Sequence, residues 1–189
     1  MGKTARGKLP PDGIGDADGQ PTILPAEKYG RTHNSENPEL YVAYPYRLYG
    51  VGKPDLQLAR NAFKARRFPM NRGWGQDGTQ AAVLGLANEA QKVVTSEFTA
   101  YGSQRFRWFW DPECGGSGMI TLQLMLMQCD GKRILLLPAW PPEWAADFKL
   151  HAPYRTTVEG RVEGGKIVKL KVTPASRAKD IVIEPVERS

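Results

Sequence analysis

Cysteine and histidine are scarce in this chain. Cys114 and Cys129 are the only cysteines among 189 residues, too few for a metal tetrad or a disulfide scaffold. His33 and His151 are the only histidines, and nothing in the sequence pairs either with a nucleophile. No run of about 18 apolar residues occurs, so no membrane-spanning helix is expected. The opening MGKTARGKLPPDG lacks the apolar core of a signal peptide, so export would need residues outside this stretch. A basic stripe is missing too: the net charge of +6 is spread along the chain, and basic and acidic residues interleave from Lys149 onward. That interleaving reads as a solvated face, and nucleic-acid binding is disfavoured. Ser117 lies in no nucleophile elbow, because no strand precedes Gly116-Ser117-Gly118. Asp12, Asp16 and Asp18 before Gly19 fail calcium-loop spacing: with Gly19 in sixth place the loop would begin at Ile14 and end at Pro25. No metal and no cofactor is expected.

What is there divides into three stretches. Residues 1–35, rich in proline and glycine and without an apolar period, read as an extended arm or loop. Residues 36–131 read as helices. Leu40, Tyr44, Leu48 and Val51 keep one face around a break at Pro45. Asp55 is placed to cap a helix with Leu56, Ala59, Ala62 and Phe63 inward. Thr79 to Val94 carries the cleanest 3.6-residue period and predicts one helix. Ser117 to Gln128 is apolar almost all round, predicting a helix buried on every side and stopped by Gly131. Residues 132–189 read as a small antiparallel β module. Thr157–Val162 and Ile167–Val172 flank Glu163-Gly164-Gly165-Lys166, a hairpin signal, and Asp180–Glu184 is a further strand.

Chemistry concentrates in Arg105-Phe106-Arg107-Trp108-Phe109-Trp110-Asp111-Pro112-Glu113-Cys114-Gly115-Gly116-Ser117-Gly118. Aromatic faces beside carboxylates suit a sugar, whose C–H face stacks while acceptors hold its hydroxyls. Glycosidic cleavage needs carboxylates as well, one to donate a proton and one to activate water or attack. The glycines let backbone approach a ligand, or let two helices touch. The same stretch also reads as aromatic packing beneath a helix start with solvated acids. A second candidate is Asn71-Arg72-Gly73-Trp74-Gly75-Gln76-Asp77, where Trp74 lines a pocket or covers the core, and a third is Asn34-Ser35-Glu36-Asn37-Pro38-Glu39, whose acids Glu36 and Glu39 are also explained by helix N-terminal preference.

The order of these features resembles a known family. Gly73-Trp74 opens one helix, Trp110-Asp111 and Gly115-Gly116-Ser117-Gly118 open the last, and Leu136-Leu137-Pro138-Ala139-Trp140-Pro141 follows. From about Asn34 to Val182 the chain is similar to the C-terminal part of glycoside hydrolase family 95, the α-L-fucosidase type with a six-hairpin (α/α)6 barrel and a terminal β domain. The resemblance implies an α+β chain: a partial, mostly helical (α/α)6 barrel over 36–131, then a β module forming part of a sandwich over 132–189. It implies an inverting glycosidase lineage in which Asp111, the catalytic match, polarises the hydrolytic water. Glu113 assists, while Trp74, Trp110, Glu36 and Glu39 line the substrate site. Glu113 and Cys114 stand where the fucosidases carry Asn and Phe, and Glu36 and Glu39 stand where they carry histidines. Fucose is therefore not implied.

The family's general-acid glutamate lies in a segment that precedes the part matched here. Twelve helices of about 12 residues with loops of about 5 need at least roughly 200 residues, and 36–131 holds about four or five helices. The expected partners are thus a carbohydrate and either the other barrel half or a second copy, with no membrane. The family is commonly exported. From a different class, the chain also reads as a non-catalytic carbohydrate-binding or structural piece. A weaker reading makes Arg105–Trp110 a stacking platform for single-stranded nucleic acid.

Overall fold

The computed structural model describes residues 13–26, 30, 35–69, 75–99 and 112–183, with 112–115 as helix backbone only. Strands β1 (Ile14–Ala17) and β2 (Gln20–Ile23) form an antiparallel hairpin. Asp18 and Gly19 turn it with φ of 53° and 76°, the pair of positive angles that a tight two-residue hairpin turn requires. Asp16 Oδ1 accepts the Gly19 N–H at 2.8 Å. The aspartates thus serve a turn, and the expected unstructured arm contains a hairpin.

Pro38–Leu40 forms one 3₁₀ turn, and turns continue to Tyr46 where a helix was expected. Leu40 and Ala43 are still fully buried, so the apolar pattern marked burial and not a helix. Helix α1 (Leu56–Ala65) forms as expected, with Ala59, Ala62 and Phe63 inward. Its expected cap does not: Asp55 adopts φ 57° and its side chain makes no capping bond.

The single helix expected over 79–94 is two, α2 (Asp77–Val83) and α3 (Ala87–Thr99). Leu86 N–H donates to Ala81 O at 2.9 Å and Gly85 N–H to Ala82 O at 3.2 Å, the paired bonds of a glycine-terminated helix end. Gly85 has φ 73°, and a Cβ there would lie 2.7 Å from Val51 Cγ2 and 3.2 Å from Pro138 O. Gly85→Ala should therefore cost about 1–3 kcal/mol, from the left-handed backbone and the overpacking together. A urea midpoint unchanged from the parent would refute this.

Helix α4 (Pro112–Leu126) starts earlier than expected and runs directly into β3 (Met127–Asp130). It is not buried on every side: Met119 and Ile120 are 47% and 44% exposed. A Cβ on Gly78 would lie 2.8 Å from Thr121 Oγ1 and from Val93 Cγ1, so the side chains of α3 and α4 pack directly onto the backbone of α2. Gln128 Nε2 reaches back to Ala82 O at 2.7 Å and Leu124 O at 2.9 Å. With Gly78 beside Thr121, this makes α2 and α4 run in the same direction. Gly131 (φ 58°) does not stop the helix but turns β3 into β4 (Arg133–Leu136).

Strands β5 (Ala146–Ala152), β6 (Thr156–Glu163) and β7 (Lys166–Thr173) form an antiparallel meander, turned at Gly164 and Gly165 as expected. The last strand, β8 (Ile181–Ile183), does not join it. It pairs parallel with β4, Ile134 opposite Ile181, in the order β3-β4-β8. The meander's outer face carries cross-strand ion pairs, Arg161 with Asp147 at 2.6 Å and Glu159 between Lys149 and Lys171 at 3.8 Å each. These account for the interleaved charges. Buried side chains from Ile23 to Val162 form one apolar cluster. The architecture is mixed, with helices and three small sheets, and it corrects the expected mostly helical partial six-hairpin barrel. Strands take the places of predicted arm and helix residues at both ends of the helical stretch. Among the described residues no helix is long and apolar enough to cross a membrane.

Candidate functional site

Of the residues marked in the sequence, Glu36 and Glu39 are brought together. Both line an open groove of about 450 Å³ between the β1–β2 hairpin and the end of α1. Its position follows from Asn37, which is buried and locked to Phe68. Asn37 Nδ2 donates to Phe68 O at 2.8 Å, and Asn37 Oδ1 accepts the Phe68 N–H at 3.1 Å. These reciprocal bonds pin the acid-bearing stretch against the chain leaving α1.

The two acids differ in environment. Glu36 Oε2 accepts the Tyr41 hydroxyl at 2.6 Å. That bond, more than burial, pushes the Tyr41 phenol up to about 12. Glu39 is half-buried, and burial pushes its carboxyl above the ordinary carboxylate value, partly offset by a hydrogen bond from its own backbone. A carboxyl raised in the folded state stabilises most below its unfolded pKa, and that contribution is lost as pH rises through the folded value. Glu39→Gln should therefore raise the melting temperature at neutral pH, with the gain vanishing in acid. A gain independent of pH would show that the charge is not its source.

A second, much smaller cavity of about 10 Å³, room for about one water, lies between Glu36, Tyr41, Gln76, Asp77 and Gln80. Asp77 is 2% exposed and receives Arg66 Nε at 2.8 Å, while the Arg66 guanidinium lies 3.8 Å from the Phe63 ring centre. Among the described residues, Gln76 Oε1 and Gln80 Oε1 are buried without a hydrogen bond.

Glu113 lies in the first turn of α4, its side chain outside the described residues, and Asp111, Trp74 and Trp110 lie outside them altogether. The glycines that open α4 are accounted for in part. A Cβ on Gly118 would fall 2.7 Å from Glu97 Oε2, whereas one on Gly116 would meet nothing. Gly118 therefore serves contact between α3 and α4. Among the described residues no three His, Cys, Asp or Glu side chains converge as a metal would need.

No protein-family model and no curated protein matches the chain. The reading of the site therefore rests on its own geometry. A larger groove of about 1190 Å³ runs on the other side of the hairpin along α1, past Gln57, Arg60 and Lys64, and holds none of the marked residues. Sequence reasoning passed over Tyr41 and Gln80, and it gave Asn37 and Asp77, though they lie in candidate stretches, no role of their own. A usable signal existed for Asp77, a lone charge followed by Gly78, Thr79, Ala81 and Ala82, small residues that predict close burial.

Proposed function

We propose that this chain handles the carbohydrate in an enzyme of the glycoside hydrolase type. The observation that carries the reading is a pair of carboxylates, Glu36 and Glu39, lining one open groove. The segment bearing Trp74 leads into α2, and the segment bearing Trp110 and Asp111 leads into α4. Those helices run side by side in the same direction, and Glu36 stands with Gln76 and Asp77 at the end where α2 begins. Glu36 and Glu39 together line a groove within the range of about 300–1,000 Å³ usual for small-molecule sites.

In this reading Glu36 and Glu39 accept sugar hydroxyls, and Trp74 and Trp110 stack on ring faces. Asp111 polarises the attacking water, Glu113 assists, and the general acid comes from a segment that precedes these. The test begins with binding. Adding the cognate oligosaccharide should perturb tryptophan fluorescence, and Trp74→Ala or Trp110→Ala should abolish the change. Asp111→Asn, assayed with the acid-bearing segment present, should lower turnover about 100-fold or more while leaving binding intact. A stable Trp variant with unchanged affinity, or near-normal turnover of Asp111→Asn, would sink the reading.

A further inference from the structure

The ion pairs of the strand-rich part of the chain engage all of its nearby acids and leave cations over. Between Ala146 and Asp180 the acids are Asp147, Glu159, Glu163 and Asp180. Arg161 holds Asp147 and Glu163, Lys149 and Lys171 hold Glu159, and Arg177 holds Asp180. Asp130, at the end of β3, is held by Lys53 at 3.5 Å. Lys132, Arg155 and Lys179 are exposed and, among the described residues, make no ion pair. Residues 116–183 are described without a break, so each of these cations lies well inside described chain.

Arg177 brings the three to one end of the sheets. It sits on the 3₁₀ segment Ala175–Asp180, which also carries Lys179. Its Nη2 donates to Lys132 O in the β3–β4 turn at 3.1 Å, and its Nε donates to Thr156 Oγ1, next to Arg155, at 3.0 Å. Its guanidinium lies 5.2 Å from the centre of the Tyr154 ring. A second observation is the hairpin tip itself. Tyr154 and Arg155 connect β5 to β6 with φ of 63° and 54°, a left-handed backbone that favours glycine or asparagine. The tip nonetheless displays two large side chains. Tyr154 is 59% exposed and is the one exposed Phe, Tyr or Trp among the described residues of β3 to β8.

We propose that this end of the sheets binds an acidic saccharide, one carrying carboxylate or sulfate groups. The exposed Tyr154 ring suits the C–H face of a sugar. The planar fork of Arg155 matches the paired oxygens of a carboxylate or sulfate, and Lys132 and Lys179 add point charges beside it. A nucleic-acid single strand would call for a basic groove that tracks its backbone past several stacking aromatics. Here the cations come from three separate turns and meet a single ring, which fits a compact charged sugar better. The site lies beyond the far ends of α4 and β3 from the groove of Glu36 and Glu39, so it would anchor a polymer apart from that groove. The inference rests on the carbohydrate reading for its sugar but not for its residues. The tests at Trp74, Trp110 and Asp111 touch none of them, so either reading can fail alone.

Calorimetric titration of the whole chain tests it with dextran oligosaccharides, their carboxymethylated and sulfated forms of the same length, and oligothymidylate of matched charge. At least one acidic dextran should bind about tenfold or more tighter than both neutral dextran and oligothymidylate, with affinity falling as salt rises. The tighter of the two acidic forms names the anionic group. Tyr154→Gly and Arg155→Gly remove the side chains and leave a residue suited to the left-handed backbone, so both should fold, as melting curves will check. Each should weaken that binding by about fivefold or more, and so should Lys132→Gln combined with Lys179→Gln. Lys166→Gln removes a cation at the β6–β7 turn, the opposite end of the meander, and should change it by less than about twofold. Absence of binding by both acidic dextrans, or neutral dextran or oligothymidylate binding as tightly, overturns the assignment. Equal losses from Lys166→Gln and Arg155→Gly also overturn it, because charge anywhere on the sheet would then serve.

Discussion

Arg66→Ala is expected to destabilise the chain by about 3–5 kcal/mol in urea unfolding, because it removes the guanidinium from a carboxylate that stays buried. Asp77 is 2% exposed, at the start of a helix every residue of which is buried, so water cannot easily replace the lost partner. Against a total stability of about 5–15 kcal/mol, such a loss is a large share. Removing both charges, as in Arg66→Met with Asp77→Leu, should recover much of it, since the double change leaves no orphaned charge. A single-variant loss below about 1 kcal/mol would mean that the site hydrates or rearranges when opened.

Arg177→Ala should cost a similar amount for a different reason. Arg177 is 9% exposed, pairs with Asp180 and donates to Thr156 Oγ1 at 3.0 Å and Lys132 O at 3.1 Å. Its guanidinium also lies 5.2 Å from the Tyr154 ring centre. One side chain thus ties the β3–β4 turn, the start of β6 and the 3₁₀ segment Ala175–Asp180 together. Its loss leaves a buried threonine hydroxyl and a largely covered carboxylate without their donor, about 3–5 kcal/mol in all. Hydrogen exchange should show the amides of Ile181–Ile183 losing protection before those of β6. Arg177→Lys should not rescue, because a single ammonium cannot reach three acceptors in a planar fork. Uniform loss of protection across the sheets would contradict this account.

Local chemistry was legible in the sequence where it was self-contained. The Gly164-Gly165 turn was readable because alternating strands flank it on both sides. The Asp18-Gly19 turn has the same character, but its strands are short, carry Pro21 and show no alternation, so only packing on α1 reveals them. The apolar period over 79–94 ran through Gly85 without a break because α2 and α3 both turn apolar residues into one core. Periodicity registers burial and is blind to the reversal between them. Met125 to Gln128 is buried whether read as helix or strand, so the junction between α4 and β3 left no trace in composition. At the site, Glu36 and Glu39 were legible as charged residues beside an aromatic stretch. Asn37 and Gln80 were not, because their significance lies in partners, or missing partners, far away in sequence.

The parallel pairing of β8 with β4 has a consequence for the order of folding. The meander of β5, β6 and β7 is built from neighbouring strands joined by short turns, so its contacts are local and quick to form. Ile134 and Ile181 lie at either end of the chain that makes this meander, and bringing them together while it is still extended carries the entropy of a long loop. Once the hairpins have formed, most of that loop is replaced by a rigid body, and far less free chain is left to order. The meander therefore forms first and delivers β8 to its place, and the β4–β8 edge closes among the last of the contacts. Slow appearance of protection at Ile181–Ile183 in pulsed exchange, after β5–β7 are protected, is the kinetic signature of that sequence.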